Sequence, residues 1–272
     1  MQCHCQKKHR PQHKKACKKR AAEIREDKLF QQPEESYLGE CPLCCLPLSL
    51  NLSKSSITTC CCKVICNGCD YANTLREEEG GLEHKCPFCR EPVPKSQGGN
   101  IQNTMERAKA NDPVALCRTG EECEREGDYK RAFQYYIKAA ALGNIEAHYD
   151  LSCMYHEGKG VEKDIKKAIY HAEEAAIGGH PVARYNLGSH DGRNGKIERA
   201  YKHFIIAANL GYADALDRLK KGFQMGLVTK EDYEAALRGH QAAVDATKSA
   251  QRDAAYAFAL EHANLFAQQR GM

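Results

Sequence analysis

Between residues 40 and 90 the chain sets its cysteines at spacings that a metal centre demands: Cys41-Pro-Leu-Cys44, then Cys60-Cys61-Cys62, then Cys66-Asn-Gly-Cys69, then Cys86-Pro-Phe-Cys89. A C-x2-C turn places two thiolates on one zinc ion at about 2.3 Å, and zinc takes four such ligands in a tetrahedron. Three such turns and a cysteine triplet provide enough thiols for two ions. Thirteen of the sixteen cysteines lie at or before Cys89, so the ligand-rich region is confined to the first third of the chain and a domain boundary should follow it.

The expected compartment supports metal over disulfides. The first thirty residues are mostly Lys, Arg, His and Gln, with neither the apolar core of a signal peptide nor a membrane span. A cytoplasmic or nuclear location is therefore expected, where thiols stay reduced or bind metal. With every position on each ion filled by protein, the zinc is expected to be structural, which disfavours metal-assisted hydrolysis. Roughly fifty residues with little apolar content cannot build a stable core alone, so metal binding should be coupled to folding.

The formal charge is only +4 and its excess lies within residues 7–28. Lys14, Lys15, Lys18, Lys19 and Arg20 could form a nucleic-acid patch, but such a run is read here as a solvated helix face. Neither a membrane nor a nucleic-acid partner is expected.

Beyond the cysteines, Ala132, Ala168 and Ala200 are spaced by 36 and 32 residues, and Gly143, Gly179 and Gly211 repeat the same intervals. Ala115, Ala147, Ala183 and Ala215 recur at similar spacing, with Leu151, Leu187 and Leu219 four residues after the last three. Small residues at helix crossings with larger ones filling the seam describe stacked antiparallel helix pairs, punctuated by the glycines. Thr229-Lys-Glu-Asp reads as a capping box opening a final helix from Glu231 to about Phe258. The expected organisation is 1–30, a basic helix with Cys and His; 40–92, the zinc module; 93–106, a Pro- and Gly-containing linker that lets the halves move; 107–222, the repeats; and 223–272, a capping helix and tail.

The unit at 147–179 resembles the Sel1-like repeat through Ala147, Tyr149, Leu151, Tyr155, Gly158, Gly160, Val161, Asp164, Lys167, Ala168, Ala175, Ala176 and Gly178. The tetratricopeptide repeat is the near neighbour, and the run Gly158-Lys-Gly-Val favours the Sel1-like pattern. Such a stack implies a protein or peptide ligand on the repeats.

The cysteine order resembles the RING family. Its cross-braced arrangement implies one zinc on Cys41, Cys44, Cys66 and Cys69, and a second on Cys86 and Cys89 with two of the triplet. Cys60 with Cys62 fits the family's usual C-x-C or C-x-H spacing, with Cys61 as the alternative ligand. The resemblance further implies that Leu43 and Pro87 contact a ubiquitin-conjugating enzyme and that Arg90 bridges to ubiquitin, while Tyr71 or Leu75 stands in for a tryptophan this chain lacks. Upstream, Cys5, His13 and Cys17 resemble the last three ligands of a MYND-type finger, with Met1 where a further cysteine is expected, so a third zinc there is doubtful.

These resemblances imply a small α+β, cross-braced zinc module followed by an all-α solenoid. They imply an E3 ubiquitin ligase without a catalytic residue of its own, whose repeats select a substrate; the alternative is a non-enzymatic adaptor.

Overall fold

A computed structural model of the chain describes residues 10–94 and 96–270, with side chains over 14–94 and 96–261. It begins with α1 (Arg10–Phe30), the antiparallel strands β1 (Ser55–Thr58) and β2 (Lys63–Cys66), α2 (Asn67–Glu79) and α3 (Gln97–Lys109). There follow α4 (Pro113–Arg125), α5 (Tyr129–Ala141), α6 (Ile145–Glu157), α7 (Ile165–Ile177), α8 (Pro181–Arg193), α9 (Ile197–Asn209), α10 (Ala213–Gln224), α11 (Lys230–Ala246) and α12 (Ala250–Arg270).

The alanine period of the sequence is the packing period of the stack. Ala115, Ala147, Ala183 and Ala215 open α4, α6, α8 and α10 and are each fully buried, and Leu151, Leu187 and Leu219 fill the seam one turn later. Ala132, Ala168 and Ala200 occupy the matching crossing on α5, α7 and α9. A methyl group at a crossing lets two helices approach closely, so each pair repeats one contact. Side chains of Asp112, Asp128, Asn144 and Asp164 cap the N-termini of α4 to α7, satisfying backbone N–H groups that the helices leave unpaired.

Two sequence expectations give way here. Residues 97–106, expected to be irregular, are instead helical: Ser96 accepts the Gly99 N–H at 3.2 Å and starts α3, which packs along α4. Thr59 beyond β1 hydrogen-bonds to Asn100 of α3 at 2.9 Å, joining the cysteine region to the stack. At the C-terminus, Thr229 caps α11 as its motif requires, accepting the Asp232 N–H at 3.1 Å. That helix stops at Ala246, and Ser249 Oγ accepts the Arg252 N–H at 3.3 Å to open a separate α12. α12 turns back and packs along α2, with the rings of Tyr71 and Phe258 4.7 Å apart.

The N-terminal segment lies across α6 to α9. Leu29 is buried against Ala172, Ala176 and Leu187, and Arg25 pairs with Glu173 and Glu174 at 2.8 and 2.6 Å. Arg184, fully buried, donates to the Leu29 carbonyl that ends α1 and to the Ala176 carbonyl. The Tyr37 N–H reaches the Gly179 carbonyl at 3.2 Å, and His180 is stacked between Tyr37 and Tyr149 with both centroids 4.4 Å away. At Gly179, where φ is +85°, a Cβ would come within 2.7 Å of the Glu35 carbonyl oxygen, so only glycine admits this strand of chain. Part of the helical stack is thus covered by the chain's own residues. The solvated face of α1 carries the exposed Lys14, Lys15, Lys18, Lys19 and Arg20, and no described helix is long and apolar enough to cross a membrane.

Candidate metal centre

The cysteine region builds one turn twice. Around Cys41, its N–H donates to the Leu46 carbonyl at 2.9 Å, the Cys45 N–H returns to the Cys41 carbonyl at 2.8 Å, and Glu40 bridges to Pro47. Around Cys86, its N–H donates to the Glu91 carbonyl at 2.9 Å, the Arg90 N–H returns to the Cys86 carbonyl at 3.1 Å, and Lys85 bridges to Pro92. In each case the residue after the second cysteine is left-handed: Cys45 has φ +53° and Arg90 φ +63°. That conformation costs an L-residue about 1–2 kcal/mol and aims both thiols of the turn at one point.

The other two cysteine groups meet these turns. Cys66 caps α2, its sulfur accepting the Cys69 N–H at 3.4 Å, and its own N–H donates to Cys41 Sγ at 3.4 Å. The triplet forms the tip of the β1–β2 hairpin, whose register ends at Thr58 opposite Lys63.

Two tetrads result. Cys41, Cys44, Cys66 and Cys69 form one, and Cys60, Cys61, Cys86 and Cys89 the other, each with all sulfurs within 4.8 Å of one another. A tetrahedron with Zn–S bonds of about 2.3 Å has S···S edges of about 3.8 Å. The structure gives 3.8 Å for Cys44–Cys66, 3.7 Å for Cys61–Cys86 and 3.3 Å for Cys60–Cys89, so both donor sets fit zinc in size and chemistry. The groups pair first with third and second with fourth.

Electrostatics favour a cation in each. Burial opposes ionisation of Cys41, yet the N–H groups of Cys66, Cys44 and Leu43 bring its thiol down to about 7. Burial, and after it the neighbouring thiols, push Cys69 and Cys60 up. Thiols this close cannot all ionise on their own, and a divalent ion between them removes the repulsion.

One expected ligand is displaced. Cys62 does not join the second tetrad: its φ of +55° swings it into the helical core beside α4, near Arg107 and Asp112, and the alternative, Cys61, takes the place. Adjacency on a strand sends successive side chains to opposite faces, but Cys60 and Cys61 lie in the turn at the hairpin tip and are not held to that alternation. Of the other candidates, Leu43 is exposed, Pro87 half-buried and Arg90 exposed. Tyr71 is engaged by Phe258, and Leu75 is half-buried on α2. Cys17 is exposed on α1, the side chain of His13 on the same helix and the whole of Cys5 lie outside the described residues, and the upstream finger therefore has no described ligand set. Arg252 was missed altogether: it donates to Cys44 Sγ at 3.4 Å from a position that no local motif marks.

Residues 114–144, 145–180 and 181–212 each match the Sel1 repeat. No RING or MYND family pattern matches the cysteine region. Over 86 residues the chain is 33% identical to chitin synthase regulatory factor 4 of Schizosaccharomyces pombe, a match spanning 31% of this chain and 14% of that protein. Among solved structures, a Sel1 repeat protein from Oxalobacter formigenes is 25% identical with a TM-score of 0.49, over 58% of this chain and 48% of the other. A protective antigen of uropathogenic Escherichia coli with an SLR fold is 22% identical with a TM-score of 0.43, over 70% and 39%. The helical stack of this chain is thus built on three Sel1 repeats, to whose N-terminal side a cysteine module is attached.

Proposed function

We propose that the cysteine module binds two structural zinc ions in RING fashion and holds a ubiquitin-charged conjugating enzyme in a reactive geometry, while the Sel1 repeats carry the contact to a protein partner. The observation that supports this reading is the pairing of alternate cysteine groups, first with third and second with fourth. Fixing the thioester by orientation can lower a barrier by several kcal/mol without any nucleophile or base in the module. Leu43 and Pro87 on the two matching turns would contact the conjugating enzyme, and Arg90, left-handed and exposed, would reach ubiquitin. The test is autoubiquitination with a panel of conjugating enzymes, comparing wild type with Arg90→Ala and Cys86→Ala. Activity that Cys86→Ala abolishes and Arg90→Ala reduces would support the ligase reading.

A second reading, a non-enzymatic adaptor, is favoured by one observation. Tyr71, the aromatic that would stand in for tryptophan at the enzyme contact, is packed against Phe258 of the chain's own α12. Absence of activity with every conjugating enzyme, from protein that carries zinc, would favour the adaptor. The similarity to a protein named as a regulatory factor is compatible with this second role.

A further inference from the structure

The first tetrad carries an element that the cysteine motif does not contain. The first turn of α12 rests on the N-terminus of α2 so closely that a Cβ on Gly68 would come within 2.9 Å of the Arg252 backbone nitrogen. Gln251 Nε2 donates to the Gly68 carbonyl at 3.0 Å. From this seat the Arg252 guanidinium reaches over the Cys41–Cys44 turn, donating to Pro47 O at 2.6 Å, Leu46 O at 3.1 Å and Cys44 Sγ at 3.4 Å, and back to Thr247 O at 2.7 Å.

The partners are carbonyl oxygens and sulfur, with no carboxylate among them. A partly buried guanidinium needs an anion, because leaving a charge unpaired out of water costs several kcal/mol. Four thiolates around one divalent zinc carry a net charge of −2, and the donated N–H groups point at that charge. Among the described residues, no Arg or Lys hydrogen-bonds to a sulfur of the second tetrad.

We infer that Arg252 is a positioning residue of the first zinc site, a cation supplied from α12 that offsets half of the tetrathiolate's net negative charge and holds the Cys41–Cys44 turn closed. The inference rests on the zinc reading of the tetrads and is independent of the ligase reading. Hydrogen bonds to a thiolate lower its reactivity toward electrophiles, so the first site is guarded where the second, with Cys89 exposed, is not.

The experiment uses the full chain as wild type, Arg252→Gln and Arg252→Lys. Zinc content is measured first, then zinc transfer to a colorimetric chelator, then the rate of alkylation of each cysteine by mass spectrometry. Wild type is expected to release one zinc quickly and one slowly. In Arg252→Gln the slow step should accelerate about tenfold or more, the size of a charge-assisted hydrogen bond, with Cys44 the cysteine whose alkylation rises most. Cys60, Cys61, Cys86 and Cys89 should keep their wild-type rates, and Arg252→Lys should fall between the two. A uniform rise at Cys41, Cys44, Cys66 and Cys69, with Lys no better than Gln, would reduce Arg252 to a packing residue and overturn the inference. An unchanged slow step would overturn it as well. Should Arg252→Gln fail to fold, the same rates in Arg252→Lys against wild type decide. Wild type without zinc would instead refute the metal reading beneath it.

Discussion

The cysteine module and the helical stack reach order by opposite means. The stack repeats a buried alanine at every crossing and fills the seam with Leu151, Leu187 and Leu219, so its stability is spread over many similar contacts. The module has a small core of Leu48 and Ile65 among buried cysteines, a two-stranded sheet, and left-handed residues at Cys45 and Arg90. Two strands and so few apolar side chains do not hold together in water unaided. The difference teaches how one chain can distribute its stability over many contacts in one half while the other half, on the zinc proposal, concentrates it on two points.

The sharpest way to break that contrast is to remove metal. A strong zinc chelator should strip two ions and unfold residues 40–92, an effect on the order of 10 kcal/mol per structural site. Circular dichroism should show the helical signal of the stack largely retained, while hydrogen exchange rises in β1, β2 and α2. Equal loss of protection in α4–α9 would mean that the two halves share one cooperative unit.

The next test divides the module itself. Cys41→Ser, at a fully buried position, should abolish one zinc and lower the module's stability by several kcal/mol, whereas Cys89→Ser, at an exposed position, should lose its zinc with a smaller stability loss. Zinc stoichiometry with thermal melts distinguishes the two. Cys62→Ala should keep both ions, since its thiol sits with the helices, and Cys61→Ala should lose one.

In the stack, enlarging one crossing should act locally. Ala147→Leu adds volume at a fully buried position and should cost about 1–3 kcal/mol by overpacking, with zinc content unchanged. A simultaneous loss of zinc would show that the crossing supports the module.

An effect no larger than that of overpacking is expected from a buried carboxyl within the stack, read as a pH dependence. Burial, and then the charges of Glu146, Glu121 and Glu124, push the Asp150 carboxyl up to about 8, and Cys117 Sγ lies 3.7 Å from it. The folded state therefore keeps a proton that the unfolded chain has already lost, and its stability falls as pH rises from about 4, the unfolded value, through about 8. Asp150→Asn should flatten that slope and raise stability above pH 8 by about 1–3 kcal/mol. Urea melts at pH 5 and pH 8.5 would check it, and a slope unchanged by the substitution would assign the dependence elsewhere.

How much of this is legible in the sequence differs between the halves. The alanine and glycine intervals mark helix crossings and helix ends directly, because each repeat solves the same packing problem with the same residue type. Cys41, Cys44, Cys66, Cys69, Cys86 and Cys89 are legible through local spacing, since a C-x2-C turn is a local structure. The choice of Cys61 over Cys62 is not, because it depends on a left-handed residue at a hairpin tip and on a helix core that receives the rejected thiol. Residues 93–106 read as a linker in sequence because Pro94 and the pair Gly98 and Gly99 mask a capping serine at Ser96. Arg252 was invisible for a simpler reason: its partner Cys44 stands 208 residues away.

That distance bears on how the chain is made. Synthesis delivers the cysteine module well before α12, yet the guanidinium that hydrogen-bonds to the Cys41–Cys44 turn belongs to α12. Contacts of such long separation close late. On the ribosome the nascent thiols must wait, with their metal or without it, until α12 has emerged before this contact can form.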